Sequence, residues 1–213
     1  ERLLHRLGRG QSQAPQVAPP HAAPMPTTAD VDPMLRWRRG HFMFFALIQA
    51  LIVTHHWLVL SLRQHRMQSA REALELATDL WWASAAAFRF ASDFSGEAYA
   101  EVIRPSMSPP FVREGFSGLL FADHSYLLRQ LRQTRPLIER LPAPLHAQHR
   151  QYMWGLNAMY ESHAYVCERF VGDEASLRGG DKKDALGAVS VIRGALRKRT
   201  LMSVGGPGLG QLQ

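Results

Sequence analysis

Apolar side chains recur every three or four residues along this chain, in blocks separated by Pro- and Gly-rich stretches. That spacing is the mark of helices with one buried face. The first block, Met34 to about Met67, is the most apolar. Phe42 to Leu62 contains no Asp, Glu, Lys or Arg, and Arg38, Arg39 and Arg63 bracket it. Its length permits a membrane span. Gln49, Thr54, His55 and His56 lie inside it, however, and adjacent histidines are costly in hydrocarbon. No other segment of comparable apolar length follows, so a buried core helix is expected, and no membrane partner.

The second block, Ala70 to about Phe94, carries Leu74, Ala77, Leu80, Trp81, Ser84, Ala87 and Phe88 at helical period. Its small residues Ala83 to Ala87 admit a close neighbour. Gly96 is expected to end it, with a short helix from Glu97 to Ile103 beyond. Arg104 to Pro110 should be irregular, because its prolines lack N–H groups and restrict the residues before them. Gly115-Phe116-Ser117-Gly118 continues that loop, and loops this long in compact domains are commonly functional. Leu119 to Gln133 reads as a helix carrying His124. Leu145 to Phe170 reads as a long helix whose inward stripe is Tyr152, Leu156, Met159, Tyr160, His163, Cys167 and Phe170. Ala185 to Met202 reads as a last helix with a basic end. No strand run and no internal repeat occurs in the sequence, so the fold class is all-α.

The domain plan follows. Residues 1–33 are an N-terminal segment with Leu3, Leu4 and Leu7, then a Pro/Ala-rich linker that buries too little to order itself. Residues 34–203 form one helical domain, and 204–213 a flexible Gly-rich tail. The chain opens on Glu1 rather than Met, as a fragment would.

At 213 residues with 46% hydrophobic side chains, one domain with a sizeable core is expected. A formal charge of +7 favours anionic partners. The arginines are dispersed, with neither an aromatic-and-basic stripe nor zinc-ligand spacing, so nucleic acid is not an expected partner. Carboxylates of small ligands suit arginine better. A single cysteine excludes an internal disulfide framework, and the cytoplasm is the expected compartment. Self-association is left open.

That cysteine is also the centre of the candidate chemistry. His163 and Cys167 are four positions apart on a helix, on one face and roughly 5–6 Å apart at Cβ. Alone, either is an ordinary core residue. Together they allow a nucleophilic pair or a cofactor anchor. The Cys-x-x-Cys-His motif of c-type haem attachment is absent. At most one of His55 and His56 can face a given pocket; the choice lies between a hydrogen-bonded core histidine and a distal acid or base. Arg104 is either a surface arginine or a ligand contact. Arg89, between Phe88 and Phe90, would need an anion if buried.

These residues resemble the haem-dependent aromatic oxygenase superfamily, related to tryptophan 2,3-dioxygenase. Phe45 to Leu58, with its His-His-Trp, looks like the first pocket helix of that fold. Arg104-Pro105 followed by Gly115 to Gly118 looks like the family's arginine and Ser-Gly-Phe loop, with the Ser/Gly order changed. Within the superfamily the chain is most similar to the tyrosine hydroxylase group, and there to the 3-methyl-L-tyrosine hydroxylases (peroxygenases) of saframycin biosynthesis. Their His-x(n)-His-x3-Cys motif is met by His124, His163 and Cys167.

The resemblance implies a tryptophan 2,3-dioxygenase-like helical bundle. It implies a b-type haem whose iron is held by His124 and His163, with one thioether to Cys167. It implies Arg104 and Ser117 at the substrate, with Arg104 on its carboxylate, and His124, His55 or His56 as proton carriers. The reaction implied is hydroxylation of L-tyrosine or 3-methyl-L-tyrosine ortho to the phenol hydroxyl, with hydrogen peroxide as oxidant. The product would serve a tetrahydroisoquinoline-type antibiotic. A bis-His haem sensor or electron carrier and a haem-free basic helical interaction protein are the competing readings.

Overall fold

The computed structural model describes residues 32–112, 121–170 and 194. The expected segments 1–31, the loop containing Ser117, and the basic helix over Ala185 to Met202 lie outside the described residues. All regular structure among the described residues is helical.

The first helix, α1, runs Pro33–Arg63. Asp32 caps it, its carboxylate accepting from Met34 N at 2.8 Å, and Pro33 sits in the first turn, where a missing N–H costs nothing. Ile48, Leu51 and Leu58 on one face enter the core, with Thr54, His55 and Ser61 buried beside them. Thr54 Oγ1 donates to Ala50 O at 2.8 Å, so its hydroxyl is not left unmatched. By length and composition α1 could cross a membrane; 28% of its apolar window is buried in this fold.

Helix α2, Met67–Ala91, is the middle layer and packs on both α1 and the last described helix. Its buried face is built from small residues and two large ones: Ala70, Ala73, Leu74, Ala77, Trp81 and Ala85. Small side chains let its neighbours approach. A Cβ on Gly40 of α1 would overlap the Ala91 side chain and come within 2.7 Å of Ala91 Cα. A Cβ on Gly155 would meet Thr78 O and Trp81 Cβ, both at 3.1 Å.

The chain then departs from the sequence-based expectation. Helix α2 stops at Ala91, before Gly96, and Gly96 instead opens the next helix. Ser95 is the reason: its Oγ accepts from Ala98 N at 3.0 Å and caps the new start. From there α3 (Gly96–Ala98), a π turn (Tyr99–Ile103) and α4 (Arg104–Ser106) run on without a break. The segment expected to be irregular from Arg104 is helical through Ser106. The π turn accounts for this, because Arg104 N–H bonds to Tyr99 O five residues back, shifting the bonding register just before Pro105.

Helix α5, Ala122–Ile138, lies on α1, where Gln130 Nε2 donates to Ile52 O at 3.1 Å. It runs further than its expected end at Gln133, with Pro136 inside the last turn. A 3-10 turn at Ala143–Leu145 leads into α6, His146–Phe170.

The main core lies between α1, α2, α5 and α6. A second, smaller cluster of Phe94, Tyr99 and Ile103, with Trp37 and Phe170 against it, closes one end of the bundle. Two polar clamps fasten that end. Arg36 Nη1 pairs with Asp93 Oδ2 at 2.7 Å in a largely buried ion pair. Arg169 Nη2 donates to Phe94 O at 2.8 Å.

Candidate functional site

Helices α5 and α6 bring the second and third members of the motif to the first. His163 projects from the middle of α6 onto α2, where its ring stacks on Phe88 (centroids 4.6 Å, planes 11° apart). Phe88 in turn packs on Phe44 of α1 at 4.7 Å. The imidazole plane is thereby set by a column of aromatic rings. No described residue hydrogen-bonds to either ring nitrogen. Burial, and then the nearby charge of His124, push the pKa of His163 down to about 4. His163 is therefore neutral at physiological pH, the form in which imidazole ligates a metal.

His124 stands in the first turn of α5. Phe121 packs at a tilt against Phe45, centroids 4.6 Å apart, and Asp123 accepts from Gln49 Nε2 at 3.2 Å. These contacts hold the start of α5 on α1 and keep His124 within electrostatic reach of His163. Cys167, one turn beyond His163, is a half-buried thiol. Burial, and then the Glu168 carboxylate, push its pKa up to about 11. It is a thiol, not a thiolate, near neutral pH, which argues against a nucleophilic Cys–His pair.

His163 and Cys167 line a cavity of ≈ 170 Å³ at the closed end of the bundle. Its walls include Trp37 and His41 from α1, Phe88 from α2, Tyr99 from the π turn and Phe170. Trp37 and His41 escaped the sequence reading. The signal was present, since they share the i, i+4 spacing that singled out His163 and Cys167.

Other expected site residues are placed elsewhere. His55 is fully buried, with Nδ1 at 2.7 Å from Leu51 O and Nε2 at 2.8 Å from Tyr152 OH. Tyr152 precedes His163 by three turns of α6, roughly 16 Å. His56 is exposed on the far side of α1. Arg104 opens α4, half-buried, and does not line the cavity. Arg89 is half-buried; its guanidinium lies 3.9 Å from the Tyr165 ring centroid, and its Nε has no hydrogen-bond partner among the described residues.

Among the described residues no cluster of three or more His, Cys, Asp or Glu could hold a bare metal ion. Two histidines from separate helices suit a metal that brings further ligands of its own, as in haem. The cysteine one turn away, and Arg89, whose Nε has no hydrogen-bond partner among the described residues, suit the rest of such a group.

An all-helical domain with a histidine pair and an adjoining aromatic cavity is thus defined. The chain belongs to the SfmD 3-methyl-L-tyrosine peroxygenase family, whose model matches residues 1–148. That stretch includes His124 and ends before His163 and Cys167. The chain is also similar to a 3-methyl-L-tyrosine peroxygenase of Streptomyces lavendulae, with 31% identity over 190 residues. The match covers 83% of this chain and 52% of the relative, so the chain spans about half the length of the curated relative it matches. No solved structure matches it.

Proposed function

We propose that this chain is the haem-binding part of a peroxygenase that hydroxylates L-tyrosine or 3-methyl-L-tyrosine ortho to the phenol hydroxyl, in the making of a tetrahydroisoquinoline-type antibiotic. The observation that carries this reading is the pair His124 and His163 on separate helices, with Cys167 one turn from His163. His124 and His163 would hold the iron, and Cys167 would bind the porphyrin edge through one thioether. The haem, when bound, supplies the chemistry that splits peroxide and delivers one oxygen to the ring, the other leaving as water.

The protein's own part can be argued from its residues. His163 is fixed by the Phe88 stack and by its helix neighbour Cys167, so it is the histidine that stays. His124 sits in a first helical turn and would be the one to give way to peroxide, where its imidazole could take and return the peroxide proton. His55 already engages both ring nitrogens in the core, and His56 faces solvent, so neither competes for that role as well as His124 does. Arg104, or the half-buried Arg89, supplies a cation for carboxylates.

The test is an absorption spectrum of the purified protein supplied with haem, followed by a haem stain after denaturing electrophoresis. A Soret band with stain travelling on the polypeptide is expected in the wild type. Cys167→Ser should keep the band and lose the stain. His124→Ala should lose the six-coordinate low-spin spectrum. No Soret band in the wild type would sink the reading, and an unchanged His124→Ala spectrum would remove His124 as a ligand.

A further inference from the structure

The middle of α1 and the inward stripe of α6 share a buried pair that the reading above does not use. His55 Nδ1 lies 2.7 Å from Leu51 O. A carbonyl can only accept, so Nδ1 carries the proton and Nε2 offers a lone pair. Tyr152 OH, 2.8 Å from Nε2, is therefore the donor. Both side chains are buried, His55 completely. Burial also keeps His55 neutral, so that lone pair is available near neutral pH.

This arrangement decides what Tyr152 can do. A phenol that loses an electron becomes a strong acid, and an unpaired cation in an apolar core is costly. A neutral base already in contact removes that cost, because the proton crosses one hydrogen bond as the electron leaves. Further aromatic rings surround the pair. Trp81, itself buried, stands edge-on to both, with centroids 6.1 Å from His55 and 6.2 Å from Tyr152. Its chain neighbour Trp82 lies 3.4 Å from where a Cβ on Gly155 would stand. Trp154, next to Gly155 in the chain, is 65% exposed. Tyr160 is also buried on the stripe of α6, roughly 12 Å along the helix from Tyr152 and roughly 5 Å short of His163. Electron-rich rings thus lead from beside His163 into the core and out towards the surface.

We infer that Tyr152 is a redox-active tyrosine with His55 as its proton acceptor, and that the pair removes oxidising equivalents from a haem that has met peroxide with no substrate in place. In that step Tyr152 loses one electron, its O–H bond breaks, and an N–H bond forms at His55 Nε2. The peroxide-oxidised haem gains the electron, and a neutral phenoxyl radical is left beside an imidazolium. A small-molecule reductant such as a thiol, acting at Trp154, returns the electron, and the proton goes back to the phenol oxygen. Met159 and Cys167, the oxidisable side chains nearest His163 on α6, are thereby spared. The inference rests on the peroxygenase reading for its oxidant and on the pair alone for its proton chemistry.

The test is high-field electron paramagnetic resonance of the haem-loaded full chain, mixed with hydrogen peroxide without substrate and frozen. The wild type should show a tyrosyl radical whose largest g value is lowered by a hydrogen bond from a charged donor. Tyr152→Phe should lose that signal. His55→Gln, which keeps a hydrogen-bond acceptor but no base, should lower its yield several-fold. With haem bound, a missing tyrosyl signal, a signal unchanged in Tyr152→Phe, or a full yield in His55→Gln would overturn the inference and leave the peroxygenase reading untouched. A protein that takes up no haem would bring that reading down. Photo-oxidation by a ruthenium(II) tris-bipyridyl complex with persulfate then decides: a radical that needs both Tyr152 and His55 keeps the pair, and its absence overturns it.

Discussion

Burial takes His55 from an ordinary pKa near 6.5 down to about 4, with the hydrogen bond to Leu51 O only partly offsetting it. The folded state thus refuses a proton that the unfolded chain accepts. The stability this contributes is fully present above pH 6.5 and is lost as pH falls toward 4. For a fully buried side chain the amount is on the order of 3 kcal/mol. Melting temperature of the haem-free protein should therefore be level between about pH 7 and 8 and drop between pH 6.5 and 4. In His55→Gln the drop should be shallower but not absent, since His163 is depressed to a similar value. An identical pH slope in the variant would show that His55 is not a principal source of it. The sequence placed both histidines on apolar faces but could not separate them by task. The difference lies in their partners: Tyr152 and Leu51 O occupy one ring, while Phe88 stacks on the other and leaves its nitrogens open. Such partners come from other helices and have no signature in local spacing.

Among the helices, the decisive events are the two close crossings on α2. At Gly40 an added methyl overlaps Ala91 and approaches its backbone, so one helix must move. Gly40→Ala should cost about 1–3 kcal/mol in chemical denaturation, the usual size for overpacking. That is a net figure after the gain of up to about 1 kcal/mol in helix propensity. Gly155→Ala, where the nearest atoms are at 3.1 Å, should cost less. Gly96→Ala meets nothing within 4 Å and serves as the control, with no loss expected from packing. If Gly40→Ala were no more damaging than Gly96→Ala, the α1–α2 crossing would be looser than described. The helical period did reveal α1, α2, α5 and α6, because each buries one face. It misjudged the ends of α2 and α5 and the segment around Pro105. The start of the helix after α2 and the segment around Pro105 depend on Ser95 as a cap and on a single π turn, which are local features rather than a repeating pattern. The π turn is also what brings Tyr99 to the cavity wall.

Across the whole molecule, the cavity end is held by the largely buried pair of Arg36 and Asp93, which ties the start of α1 to the chain leaving α2. Arg36→Met strands the Asp93 carboxylate in the fold and should destabilise by about 3–5 kcal/mol, whereas adding Asp93→Asn to it should recover much of that loss. A double variant no better than the single would mean that the pair is not the source of the effect. Charge counting from sequence gave +7 and dispersed arginines but no hint that one of them is internal.

The sheltering of Cys167 has a consequence in time. Hydrogen peroxide attacks thiolates far faster than thiols. A cysteine whose pKa is pushed up to about 11 presents almost no thiolate near neutral pH. Before haem arrives, the single sulfur on which the proposed tether depends is thus slow to be spoiled by the oxidant the protein is proposed to use. On the proposed reading, newly made protein can wait for haem in the presence of peroxide. Mass spectrometry of haem-free protein held in dilute peroxide should show Cys167 outlasting an unstructured peptide cysteine at pH 7, with the advantage shrinking toward pH 11.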